Sequence, residues 1–97
     1  MKADINQIKQ KVLPILKQAG VIRSSLFGSV VRGEAGDDSD IDMLIDLPRG
    51  KTLFDLAGLQ MDLEKALNKK IDLVTYNSLH PLLKDRILAE QVQIYER

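Results

Sequence analysis

Ile5, Ile8, Val12, Ile15 and Ala19 recur at helical spacing, which predicts an amphipathic helix over residues 4–19. Pro14 lies inside that pattern, brings no backbone N–H, and is expected to kink or divide the helix. Gly20 is a natural stop, Val21 to Phe27 reads as a strand, residues 29–34 as a short helix and 36–39 as a polar loop. Asp40 to Leu47 then alternates. Ile41, Met43, Ile45 and Leu47 share one face; Asp40, Asp42, Leu44 and Asp46 share the other. Pro48, Arg49 and Gly50 make a turn, and Thr52 with Asp55 forms a capping box that opens a helix through about Leu67. That helix is Leu-rich and chiefly core, with a spare apolar stripe for a dimer or partner contact. Asn68 suits its left-handed end. Lys70 to Thr75 is a strand, a loop holds Asn77 and Ser78, Pro81 starts a helix to about Glu90, and Val92 to Tyr95 is a last short strand.

The Asp40–Leu47 strand sets the expected architecture. Its apolar face needs helices over it, and its acidic face cannot lie against hydrocarbon without partners. The expectation is an α/β (α+β) fold: a mixed β-sheet with helices packed on one face and a working cleft on the other.

Composition narrows the class. At 97 residues a single domain spanning 1–97 is expected. Acidic and basic residues balance at 14 each, so no large field draws the chain onto nucleic acid or an anionic membrane. There is no cysteine, hence no disulfide framework or thiolate metal site. No signal region or membrane-length apolar run is visible, and a cytoplasmic protein is expected.

Candidate chemistry gathers at the start of the acidic strand. Asp40 and Asp42 leave one strand face, and two close carboxylates repel unless a proton or cation sits between them. A hard divalent ion, Mg²⁺ for preference, is the simplest partner; a solvated acidic loop is the plain alternative. A calcium loop fails, because Met43 stands at its glycine position and Arg49 at its final glutamate. A P-loop fails, because Glu34 and Ala35 replace its Lys and Ser/Thr. No dinucleotide fingerprint is present. Asp72, opposite Ile71 and Leu73 on a later strand, would join the pair if the two strands are neighbours; alone it is an ordinary edge-strand residue. Gly28 and Ser29, at a strand end and helix start, suit a phosphate as well as a simple cap. Together these pieces describe a nucleoside triphosphate site. His80 is read as a surface or helix-start residue, Tyr76 and Tyr95 as packing residues, and Asp37, Asp38 and Asp46 as solvated.

The stretch "LFGSVVRGEAGDDSDIDMLID" resembles the hallmark of the DNA polymerase β-like nucleotidyltransferase superfamily. "FGS", "RG", "SDIDMLID", "LFDL", "IDLVT" and "RILAEQVQIYE" match its smallest branch, the minimal nucleotidyltransferase (MNT) domains, in order and spacing over nearly the whole chain. The resemblance implies a polymerase β palm-like fold. It implies that Gly28 and Ser29 hold the triphosphate, and that Asp40 and Asp42 bind metal ions, with two Mg²⁺ expected. It further implies that Asp72 completes the metal site and acts on the attacking hydroxyl. Arg32 matches the family's Arg-Gly and is either a phosphate contact or a surface ion pair. Val31 stands where the family often has a smaller residue.

Larger members carry a second domain for which 97 residues leave no room. The resemblance therefore implies a partner, typically a helical HEPN ribonuclease toxin to which the MNT antitoxin transfers AMP from ATP. A homodimer or a hetero-oligomer is compatible with this. An antitoxin that neutralises by contact alone is the rival reading; intact Gly28-Ser29 and three aspartates favour the enzyme. A transferase acting on a small molecule is disfavoured by the lack of an acceptor domain.

Overall fold

The computed structural model describes residues 4–34, 36 and 39–97. Helix α1 (Ile5–Gln18) starts where the Asp4 side chain accepts the Asn6 N–H at 2.9 Å, satisfying one of the free amides of the first turn. It runs unbroken through Pro14, so the proline does not divide it. Pro14 is exposed, and the carbonyl it leaves unpaired can turn to water while Ile8, Val12 and Leu16 hold the helix down from the other side.

Strand β1 (Arg23–Phe27) leads into the single-turn helix α2 (Ser29–Arg32), followed by β2 (Ile41–Asp46). Asp40 therefore stands one residue ahead of the ladder rather than within the strand. Helix α3 (Leu53–Leu67) carries the expected capping box: Thr52 N–H donates to Asp55 Oδ2 at 2.8 Å and Asp55 N–H returns to Thr52 Oγ1 at 3.3 Å. The Thr52 N–H, and then the Thr52 hydroxyl donating to the same Oδ2 at 3.2 Å, hold the Asp55 carboxyl below its ordinary range. Thr52→Ala is expected to cost about 1 kcal/mol in urea denaturation. The Asp55 share of this stabilisation is present above the unfolded-chain pKa and is lost as pH falls through the depressed one. Asn68 ends the helix in the left-handed region, φ 51°.

Strand β3 (Ile71–Thr75), a 3-10 turn (Tyr76–Ser78), helix α4 (Pro81–Glu90) and β4 (Val92–Glu96) complete the chain. His80 caps α4, its Nδ1 accepting the Leu82 N–H at 3.1 Å. The sheet order is β3-β2-β1-β4. β1 pairs antiparallel with both β2 and β4, whereas β2 and β3 run parallel, joined across the face by α3.

Helices α1 and α3 pack side by side over one face. Ile8, Val12 and Leu16, with Leu59 and Leu63, meet Leu26, Ile41, Met43, Ile45, Ile71 and Ile94 in one core. Each such buried aliphatic side chain contributes about 1.5–3 kcal/mol. Ser24 faces this core fully buried, and its hydroxyl donates to the Leu44 carbonyl at 2.7 Å. Only Leu59 and Leu63 of α3 are fully buried, so this helix is less a core element than its composition suggests. Leu53 and Phe54 are 82% and 89% exposed, and Met61 is exposed on the same helix.

The opposite face is not an open cleft along its length. Leu44 is 0% exposed and lies outside the main core cluster. The 3-10 turn packs against β2, and the Tyr76 hydroxyl sits 3.0 Å from Ser25 Oγ and donates to Gln91 Oε1 at 3.2 Å. Arg23 lies 4.3 Å above the Tyr76 ring and reaches Asp46 at 3.3 Å, so Asp46 is ion-paired rather than simply solvated. This closes the Leu44–Asp46 half and leaves the Asp42–Asp72 end for chemistry. Tyr76 is the packing residue expected, with its hydroxyl satisfied. Among the described residues no helix is long and apolar enough to cross a membrane.

Candidate active site

β1 ends at Phe27 because Gly28 turns the chain. Its φ of 75° and ψ of −150° belong to a region that side chains rarely adopt. Its carbonyl accepts the Val31 and Arg32 amides at 3.1 and 3.2 Å, closing the one turn of α2. Ser29 occupies the first helical position, half-buried.

β2 delivers Asp42 to the same place. In the ladder Asp42 stands between Phe27 of β1 and Asp72 of β3. Parallel neighbours lie about 4.8 Å apart, so the two carboxylates leave one sheet face as close neighbours. A Cβ added to Gly28 would lie 3.1 Å from Asp42 Cγ and closer still to Oδ2. The glycine backbone therefore rests directly against the Asp42 carboxyl. Two halves of the motif, well separated in sequence, become one surface.

The Asp42 carboxyl is pushed above the usual aspartate range. Burial is the main cause, followed by the charges of Asp72 and Asp40, and a hydrogen bond with Asp72 adds to it. Arg32 opposes the shift. The site thus asks for a proton or a cation at Asp42. Asp40 is exposed at the strand start, and Asp72 is exposed on β3, an outward rather than a sheltered position.

Arg32 is held between two carboxylates, donating through Nε to Glu34 at 3.1 Å and through Nη1 to both oxygens of Glu90 at 3.1 and 3.2 Å. Glu90 also accepts the Gly28 N–H at 2.9 Å, which is the main reason its carboxyl lies below the ordinary range. Glu90 falls within the family-like stretch "RILAEQVQIYE", but the sequence pattern assigns it no role beyond an acidic residue at a helix end.

Of the sequence-predicted residues, Gly28, Ser29, Asp42 and Asp72 meet at one sheet end, Arg32 lies one helical turn away and Asp40 at the rim. Asp37 and Asp38, read as solvated loop, lie outside the described residues. Among the described residues, no three His, Cys, Asp or Glu side chains already converge as a ready metal group. The donor set nevertheless suits Mg²⁺: all-oxygen ligands, mutually repelling, with Asp42 resisting ionisation on its own. A groove of about 690 Å³ lies elsewhere, between α1 and α3, lined by Ile15, Ala19, Lys51, Phe54, Asp55 and Asp62. Its two acids, Asp55 and Asp62, are matched there by Lys51 and Lys65, so the electrostatics rather than the groove volume mark the site.

Comparison with known proteins agrees with this geometry. The sequence profile of the family "Polymerase beta, Nucleotidyltransferase" matches residues 10–97. A Methanocaldococcus jannaschii protein, named as a candidate protein adenylyltransferase, is 53% identical over 91 residues, covering 94% of this chain and 98% of the relative. A solved structure described as a candidate minimal nucleotidyltransferase superposes with a TM-score of 0.80 at 38% identity, covering 91% of this chain and 90% of that one. A crystal structure described as a toxin–antitoxin with AMP-PNP shares the fold at a TM-score of 0.78 and 23% identity, over 92% of this chain and 73% of that one. With its Gly-Ser turn packed against the first of two paired aspartates, the chain belongs to the polymerase β nucleotidyltransferases, in their minimal branch.

Proposed function

We propose that this chain is a Mg²⁺-dependent adenylyltransferase that moves AMP from ATP to a hydroxyl on a HEPN-type toxin, and so acts as its antitoxin. The observation that carries the proposal is the contact of Gly28 with Asp42, directly across the ladder from Asp72. It sets backbone free of a side chain beside a carboxylate pair that needs positive charge. The relatives lend support: one is named for protein adenylylation, and a structural neighbour is a toxin–antitoxin described with an ATP analogue.

In this reading the Ser29 hydroxyl, with the Ser29 and Val30 amides, receives the triphosphate, and the Arg32 guanidinium neutralises part of it. Asp40, Asp42 and Asp72 hold Mg²⁺. The bound ion supplies charge neutralisation on the phosphate oxygens as the hydroxyl enters and pyrophosphate leaves. Asp72, exposed at the sheet edge, faces the side from which an acceptor arrives and takes the hydroxyl proton. The acceptor and the cover for the base come from the partner chain.

The test is transfer from α-labelled ATP, with Mg²⁺, to a HEPN-type helical protein from the same genome. Label on that protein, absent with Asp42→Asn, is expected. Full neutralisation of the partner by Asp42→Asn without any label would replace the enzyme by a contact-only antitoxin.

A further inference from the structure

Glu90 closes α4, 62 positions from Gly28, yet its carboxylate touches two parts of the phosphate-facing turn at once. Oε1 accepts the Gly28 N–H at 2.9 Å and, with Oε2, the Arg32 Nη1 at 3.1–3.2 Å. The Gly28 amide is that of the α2 N-cap, so Glu90 takes the first of the donors at this helix start and leaves the Ser29 and Val30 amides that follow it. A guanidinium has five N–H donors, so Nη2 is not consumed by the bonds to Glu34 and Glu90. Glu90 therefore braces this turn through the Gly28 amide and Arg32 Nη1 while leaving the Ser29 hydroxyl and Arg32 Nη2 to a phosphate.

We propose that Glu90 is a positioning residue for the triphosphate, fixing the Gly28 turn and aiming the Arg32 guanidinium from the end of α4. This rests on the adenylyltransferase reading above. Without the brace, a turn in a glycine-only conformation and a long, flexible side chain must both be ordered by the nucleotide itself, at the expense of affinity. The α4–β4 segment that follows the catalytic strands then has a task in the site and is not only an edge of the sheet.

The experiment is titration of the intact protein with Mg²⁺ and α,β-methylene-ATP, paired with steady-state transfer to the partner and a thermal melt. Glu90→Ala is expected to weaken nucleotide binding about tenfold and raise KM for ATP, with kcat changed far less. Glu90→Gln keeps an acceptor for both donors and is expected to recover most of the affinity. If Glu90→Ala does not fold, Glu90→Asp, one methylene too short to reach both partners, is expected to show the same loss. Glu34→Gln, which touches Arg32 but not Gly28, is expected to have the smaller effect. Wild-type affinity in Glu90→Ala would reduce the contact to a structural one, and tighter binding would make Glu90 a competitor of phosphate; either overturns the proposal. So would Glu34→Gln matching Glu90→Ala. A wild-type protein that binds no nucleotide would instead overturn the adenylyltransferase reading, and the role of Glu90 with it.

Discussion

Asp42→Asn is expected to abolish nucleotidyl transfer while making the free protein more stable. The side chain keeps its shape and one hydrogen-bonding oxygen but loses the charge. Burial and the neighbouring charges of Asp72 and Asp40 make that charge unfavourable in the fold. A carboxyl whose folded pKa is raised binds its proton more readily when folded. Its penalty is therefore absent at low pH and grows as pH rises from the unfolded value through the raised one. Thermal melts should show the Asp42→Asn protein melting above wild type at neutral pH and converging with it in acid. Activity should move the other way. Losing a ligand that anchors positive charge at the transferring phosphate removes about 4 kcal/mol of transition-state stabilisation, roughly three orders of magnitude in rate. An opposite pairing, lower stability with activity kept, would make Asp42 an ordinary strand residue.

Gly28→Ala is the second large effect. Its φ of 75° and ψ of −150° would strain any side chain, at a cost of about 1–3 kcal/mol. Independently, the new methyl collides with the Asp42 carboxyl. Denaturant unfolding should show a loss above the strain cost alone, and binding of an ATP analogue should fall below detection. Gly20→Ala is the control. Its φ is 74°, but the space around its missing Cβ is open, so only the backbone strain applies. Equal losses at the two positions would mean that the contact with Asp42 carries no weight.

Much of the fold is legible in the sequence because local chemistry and tertiary packing point the same way. The Thr52–Asp55 capping box, the Asn68 stop and the Pro81 start all lie where sequence alone puts them. The alternation of β2 marks its core face, Ile41, Met43 and Ile45. The pairing of Asp42 with Asp72 needs one further assumption, that β2 and β3 are neighbours, and the parallel ladder meets it. What fails is what depends on residues far away. Alternation puts Leu44 on an open acidic face, yet the turn at Tyr76 covers it. Pro14 predicts a kinked or divided α1, yet core contacts on the opposite side carry the helix through it. Asp46 finds Arg23 across the ladder. Glu90 lies within the family-like "RILAEQVQIYE" stretch, but no local pattern distinguishes a surface acid from one that reaches a glycine amide 62 residues away.

That Gly28, Ser29 and the three aspartates form one nucleotide–metal site is tested most directly by electron paramagnetic resonance of Mn²⁺, added in place of Mg²⁺ with α,β-methylene-ATP. The expected result is Mn²⁺ bound to the wild-type chain in a nucleotide-dependent manner, with binding lost in Asp42→Asn and in Asp72→Asn. Mn²⁺ binding that ignores the nucleotide, or that survives both substitutions, would contradict it.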